Sequence, residues 1–461
     1  LGNTNNLGGD FKAWISDAEN AVKDRFDTTF HGYYRLVDNT EVALGWDGLT
    51  NGTLIVPISI TEKGMSILPV SVWTATSTAG MADPDENCMG WMDGTANSTD
   101  FLVRRDNLAA TSWATSALPT TLAQDEVVLR VDRFALTANN VTYAVAGDSM
   151  NYWSFFPAPA GFGRVPVWGF ADVVASNHPD VSVGERLYGY FPMSSHLVIR
   201  AGKVNPRGLR DVSEHRQSLA AVYNQYTRVQ NDPAWRADSE AVQMLYRPLF
   251  TTSFLLDDFL ATNAFFGAQQ VILTSASSKT SLGLAWLLKR RVGEGLSVIG
   301  LTSSDNQSFV ARTGCYDRII PYNETGSLAR VPSVIVDMAG NRTTLAAVHD
   351  WLDADLKYSC QVGATHWQAL RGTSTMAGPR PSPFFAPGHI EQRRSQWGAG
   401  GMEAALGKVW QPFLDASAGW IDIQYGAGQR AVEASWTEIV SGRNLPSVGH
   451  ILCVGQEGSS Q

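Results

Sequence analysis

A turn of small residues, Thr274 to Ser281, carries the clearest chemical signal in the chain. A phosphate cradle needs a tight strand-to-helix turn whose backbone N–H groups approach a pyrophosphate, and glycine normally permits that approach. Here Ala276, Ser278 and Ser281 hold the glycine positions of a G-x-G-x-x-G spacing, directly after the apolar run Val271 to Leu273. Small side chains still allow a fairly close approach. The hydroxyls of Thr274, Ser275, Ser277, Ser278 and Thr280 add donors, and Lys279 places a positive charge beside a helix N-terminus. The same string also reads as a helix start capped by Ser or Thr with no ligand at all. Ser278-Lys279-Thr280 is similar to the end of a Walker loop, but Leu273 stands where that loop needs glycine, so a triphosphate site is discarded.

The next strand ends in Thr302, Ser303 and Ser304. An Asp or Glu there would pair with the ribose hydroxyls of NAD. A short hydroxyl cluster tolerates a 2′-phosphate that a carboxylate would repel, which favours NADP; an ordinary polar loop is the alternative. Upstream, Asn139, Asn140 and Tyr143 follow the strand-like run from Val127 to Phe134. A Tyr hydroxyl and an Asn amide can orient a carbonyl or donate a proton to it, although hydrogen-bonded Asn and Tyr are also common in cores. Tyr223 to Tyr226 form a further polar and aromatic group. Gly363, His366 and Trp367 close a predicted strand at its carboxyl end, where ligands bind in such sheets, and the aromatic residues of both groups read equally well as core. His178, His196 and His349 have no ligand-spaced partners and read as structural.

The elements that position these groups fall into two textures. Up to about Asp100 the sequence is rich in Asn, Thr, Gly and Asp. Short apolar runs, Gly52 to Ile60 and Val70 to Thr74, and one amphipathic helix from Phe11 to Phe26 suggest a small β-rich module. From Phe101 strand-like runs alternate with turns, and from about Thr251 they alternate with helix-length segments, as in βαβ units. Val271 to Thr274, a helix from Thr280 to Lys289, Leu296 to Leu301, Arg318 to Pro321, Ser333 to Asp337 and Tyr358 to Val362 follow the rhythm of a dinucleotide domain. Trp420 to Tyr425, a helix near Arg430 to Ser441, and His450 to Val454 form a tail that can return to the earlier domain.

The whole-chain properties bound the function. With 35 Lys and Arg against 44 Asp and Glu, the net charge is −9, which argues against a nucleic-acid binder. No window of about 18 apolar residues occurs, so no membrane span is expected. Cys88, Cys315, Cys360 and Cys453 lie far apart, with no C-x-x-C and no His at ligand spacing; neither a zinc site nor a disulfide framework is implied. The first residues lack an initiating Met and a signal-peptide pattern, so the start reads as cut or incomplete.

The order of elements resembles the medium-chain dehydrogenase/reductase superfamily, particularly its zinc-free quinone-reductase branch. Pro166 to Val174 followed by Val183 to Gly189 is similar to the catalytic-domain run ending in a G-D-R-V-x-G turn. Val271 to Leu288 resembles the cofactor strand-turn-helix, and Gly300 to Ser304 with Gly314 to Asp317 resembles the next unit. Val336 to Gly340 and Glu433 to Val454 also fit. More specifically, Val131 to Tyr143, Arg247 to Asp258 and Ser275 to Thr280 resemble the bacterial domain-of-unknown-function family 2855, over about residues 100–454. The resemblance implies an α/β fold: a GroES-like β-rich catalytic domain over 100–255, completed by about 420–454, and a Rossmann-like parallel sheet over 256–419. It implies hydride transfer from NADPH to an activated alkene or carbonyl of a small-molecule substrate, with no metal. Asn139, Asn140 and Tyr143 fall where zinc-free members place polar groups lining the substrate site. Phe170 follows Gly169 where zinc-dependent members carry a Glu. A cytoplasmic location is implied for this part, and a homodimer is admitted.

Residues 1–99 differ. Gly8 to Asp17, Gly45 to Thr53, and Val72 to Gly80 with Cys88 and Trp91 resemble the bacterial domain-of-unknown-function family 1554, which is similar to endostatin-like and C-type-lectin-like folds of secreted or surface proteins. The likeness stops near Asp100, as a truncated module joined to a reductase-like unit would. Two functions are therefore expected to compete: an NADPH-dependent reductase, and a non-catalytic recognition protein on a degenerate Rossmann scaffold.

Overall fold

The computed structural model describes residues 33–35, 41–44, 97–291, 295–362, 376–398 and 400–455. The chain divides into two compact units, residues 1–97 with 116–121, and residues 98–115 with 122–461. In the first, β1 (Tyr33–Arg35) pairs antiparallel with β2 (Glu41–Leu44). The helix and strands expected at Phe11 to Phe26, Gly52 to Ile60 and Val70 to Thr74 lie outside the described residues, as do all the residues that carry the likeness to family 1554.

The second unit opens with β3 (Asn97–Arg104), β4 (Thr111–Ala117), β5 (Glu126–Leu136), the short helix α1 (Ala138–Val145) and β6 (Phe162–Gly163). There follow β7 (Pro166–Ser176), β8 (Arg186–Pro192), β9 (His196–Asn205), β10 (Gly208–Asp211) and β11 (Gln225–Arg228). In the order β5-β7-β8-β11-β10-β9 these strands form one sheet, and β9 pairs back onto β5, which closes it into a barrel. Phe134, Val167, Leu187, Phe191 and Ile199 fill the barrel from alternate positions, as closure requires. β5 is 11 residues long, enough to serve β7, β9 and a returning strand from the chain's end.

A helix of 23 residues, α2 (Glu240–Thr262), leads out of the barrel. The boundary expected between 255 and 256 falls inside it. Residues Leu256, Leu260 and Phe254 bury one stripe of α2, while Asp257 and Asp258 pair with Arg291 and Arg393. The sheet that follows contains β12 (Gln270–Leu273), α3 (Lys279–Lys289), β13 (Ser297–Thr302), α4 (Gln307–Thr313), β14 (Arg318–Pro321), β15 (Ser333–Asp337), α5 (Arg342–Leu352), β16 (Leu356–Gln361) and β17 (Ser382–Pro383). Its order is β14-β13-β12-β15-β16-β17, all parallel. That is the doubly wound arrangement, with its switch point between β12 and β15. β12 is buried at every position, as expected of a central parallel strand covered on both faces.

Gly283 lets α3 lie against α2: a Cβ there would come within 2.8 Å of the Ser253 hydroxyl. At this crossing Ser253 Oγ donates to the carbonyl of Thr280 at 2.7 Å. Two helices not anticipated from sequence, α6 (Ala386–Trp397) and α7 (Gly401–Ser417), follow β17. The tail then returns: β18 (Asp422–Ala427), α8 (Gly428–Val440) and β19 (Val448–Cys453) extend the barrel sheet beside β5.

Candidate functional site

A cavity of about 260 Å³ lies where the barrel, α2 and the parallel sheet meet. Asn139 and Tyr143 from α1, Tyr152, Trp168 and Tyr188 line its barrel side; Arg247, Pro248, Leu249, Thr251 and Thr252 line it from α2, and Thr280 at the start of α3 lines it with Val362 and Phe384, which follow β16 and β17. α6 and α7 contribute Ile390, Arg394, Met402 and Glu403. The carboxyl-end side of the parallel sheet therefore faces the aromatic end of the barrel, a usual place for a ligand.

The barrel wall is an aromatic and hydroxyl cluster. Trp168 Nε1 donates to Tyr143 Oη at 3.4 Å, and the hydroxyls of Tyr152 and Tyr223 lie 3.3 Å apart. Burial raises the Tyr143 hydroxyl above its usual value, against opposing hydrogen bonds from Trp168, Asn139 and Tyr223. Burial likewise pushes Tyr223 and Tyr190 well up. At neutral pH these phenols are protonated, so they can act as hydrogen-bond donors, and among the described residues no carboxylate is bonded to Tyr143.

The three residues expected together at this end separate in the structure. Asn139 and Tyr143 face the cavity, whereas Asn140 turns away. Its Oδ1 accepts the Thr137 backbone N–H at 2.7 Å and its Nδ2 donates to the Pro166 carbonyl at 2.8 Å. Asn140 is 3% exposed and ties α1 to β7, so its place is structural. Tyr223 and Gln225 line the cavity, but Asn224 and Tyr226 are turned into the protein, bonded to Arg216 and to the Tyr190 carbonyl.

The phosphate turn is unusual in how its donors are engaged. Ser275 is left-handed, with φ of 49°, the conformation that favours glycine. Its amide donates to Tyr322 Oη at 3.0 Å, that of Ala276 to the Leu301 carbonyl at 2.9 Å, and that of Ser278 to the Ser275 carbonyl at 2.8 Å. Thr274 is 1% exposed; its hydroxyl donates to Asp337 Oδ1 and accepts the amides of Met338 and Ala339. Ala276 is wholly buried beneath Tyr316, whose hydroxyl bonds the Ala276 carbonyl at 2.9 Å. Neither Thr274 nor Ala276 is free to touch a ligand with its side chain. Ser278 caps α3 by accepting the Ser281 amide, as a helix start without a ligand would.

What stays open is the end of the helix. The amides of Lys279 and Thr280 have no acceptor among the described residues, as the first turn of a helix requires of an unsatisfied end. Lys279 makes no ion pair or hydrogen bond there either, and desolvation lowers its ammonium to about 8. Thr280 opens onto the cavity. At the tip of β13, Thr302 is 1% exposed and its side chain is withdrawn, while Ser303 is half-buried and Ser304 exposed. Asn306 Nδ2 donates to Ser277 Oγ at 3.3 Å and so links this loop to the turn. Gly363, His366 and Trp367 lie outside the described residues. Among the described residues no group of three His, Cys, Asp or Glu could hold a metal, and no helix is long and apolar enough to cross a membrane.

The desolvated Lys279 ammonium acts on His450 of β19, and the open amides of Lys279 and Thr280 are a donor set for a phosphate, so the helix end fits a dinucleotide even though the turn does not offer its own amides. A family described as "Protein of unknown function (DUF2855)" matches residues 134–444. The chain belongs to this family. A putative NADPH:quinone reductase from Mesorhizobium loti is 11% identical with a TM-score of 0.50, over 77% of this chain and 98% of that one. CurA from Vibrio vulnificus in complex with NADPH is 14% identical with a TM-score of 0.49, over 78% and 99%. The quinone oxidoreductase from Coxiella burnetii is 14% identical with a TM-score of 0.44, over 78% and 100%. The Mesorhizobium likeness shows the fold: a Rossmann-like parallel sheet joined to a GroES-like β-rich domain. No curated protein sequence matches the chain.

Sequence reasoning missed the cavity's Arg247, Tyr152, Trp168, Tyr188 and Arg394. Arg247 was legible only as the first residue of a family string, because its spacing to Tyr143 is created by the fold.

Proposed function

We propose that the protein is an NADPH-dependent reductase acting on an activated alkene or carbonyl held in the cavity. The observation that carries this reading is the junction itself: a buried, protonated Tyr143 faces the same cavity as Thr280, the second residue of the helix whose open end bears Lys279. Lys279, the amides of Lys279 and Thr280, and the hydroxyls of Ser303 and Ser304 would hold the dinucleotide, with the helix end favouring its phosphates. Bound NADPH supplies the hydride; the protein supplies orientation and electrostatics. Tyr143 donates a hydrogen bond to the substrate oxygen, where negative charge develops, and Asn139 supports that donor. The neighbours' NADPH-named structures support this reading at the level of the fold.

A second reading has one observation in its favour. The three turn amides engaged internally leave less for a pyrophosphate, which suits a binding protein on a degenerate scaffold. Residues 1–99 keep their reading as a recognition module without a catalytic part. The test is NADPH oxidation by the purified full chain with a panel of enones and quinones. Steady turnover that Tyr143→Phe lowers supports the reductase; no oxidation with any of them favours the binding protein.

A further inference from the structure

We infer that Arg247 is a recognition site for a carboxylate carried by the substrate. The inference rests on the cavity being the substrate chamber of the proposed reductase. Arg247 lies on α2 and lines the cavity. One Nη1 donates to Asp232, a carboxylate that is itself 4% exposed and not part of the wall. The guanidinium sits over the ring of Tyr188 at 4.8 Å, and that ring stacks on Trp168 at 5.7 Å. Asp232 is held in turn by the Ala234 amide at 3.0 Å. The Arg247 head is therefore clamped from behind and below, and its remaining N–H donors have no acceptor among the described residues.

The cavity's other charged residues do not take up this role. Arg394 is closed by Glu403, at 3.0 and 2.7 Å, and by Gln225 at 3.4 Å. Among the described residues Glu403 is the only carboxylate on the wall. A planar, preorganised fork with free donors matches a carboxylate in two-point geometry, which a lone carbonyl cannot satisfy. Trp168 touches Arg247's platform on one side and the Tyr143 hydroxyl on the other. The substrate class that fits both ends is a conjugated oxo acid: its carboxylate on Arg247 and its carbonyl oxygen toward Tyr143.

The test compares 3-benzoylpropionate with its methyl ester by calorimetric titration of the full chain, with no nucleotide present. The acid is expected to bind at least tenfold more tightly than the ester; Arg247→Gln should abolish the difference and Arg247→Lys should retain part of it. Equal binding of acid and ester, no binding of either at millimolar concentration, or a preference that survives Arg247→Gln in a protein of unchanged melting temperature would overturn the proposal. The wild-type comparison stands even if the variants fail to fold, because it needs none of them. NADPH oxidation with 3-benzoylacrylate is then read separately. Discrimination without oxidation would refute the reductase and leave the carboxylate site, whereas oxidation that prefers the ester would do the reverse.

Discussion

The phosphate turn and the aromatic cavity meet at Thr280 and are finished differently. At the turn, the amides of Ser275, Ala276 and Ser278 and the hydroxyl of Thr274 are satisfied by the protein itself. In the cavity, Tyr143 and Arg247 both line the wall, and the Arg247 donors that Asp232 does not take have no acceptor among the described residues. Buried backbone N–H groups must find acceptors, and a turn without glycine cannot leave its amides exposed to a pyrophosphate so readily. Tyr322 and the Leu301 carbonyl took the place of a ligand. On the proposed reading, the grip on a dinucleotide shifts one turn along, onto Lys279 and the first amides of α3.

Mutations can break this contrast. The largest effect is expected at Tyr143→Phe, which should lower kcat about 100-fold, in the range of a lost proton or hydrogen-bond donor, while the melting temperature stays within a few degrees. Asn140→Ala should do the opposite, losing about 2 kcal/mol of stability in denaturant titrations through its side-chain hydrogen bonds to Thr137 and Pro166. Lys279→Ala should weaken NADPH about tenfold by calorimetry. In the wild type the ammonium of the free protein titrates near 8, so the affinity should be flat below that pH and fall as pH rises above it; the variant should show no such fall.

Two smaller changes sharpen the comparison. Tyr322→Phe removes the acceptor of the Ser275 amide and should tighten NADPH a few-fold, if phosphate can claim the released donor. Ser275→Gly relieves a left-handed serine and should raise stability by roughly 0.5–1 kcal/mol, with little change in nucleotide affinity because Tyr322 still holds the amide.

The sequence made the parallel sheet legible because its strands are short, apolar at their centres and regularly spaced. Arg318 to Pro321 and Ser333 to Asp337 coincide with β14 and β15, and the helix from Thr280 begins one residue later than α3. α6 was not legible: its first residues, Ala386 and Pro387, give it no apolar rhythm, and its burial comes from residues far away in sequence. The site was legible by type and not by orientation. Asn139 and Asn140 are adjacent and chemically identical, yet the helix turns one into the cavity and the other against Pro166. Likewise, Ser275 and Lys279 share one turn, but only tertiary contacts from Tyr322 decide that the amide of the first is engaged while the second is open.

The measurement that tests the central claim most directly is calorimetric titration of the purified full chain with NADPH and then NADH, repeated on Lys279→Ala. Micromolar NADPH binding, weaker NADH binding and a loss in the variant are predicted. Binding of neither nucleotide at millimolar concentration would contradict the account.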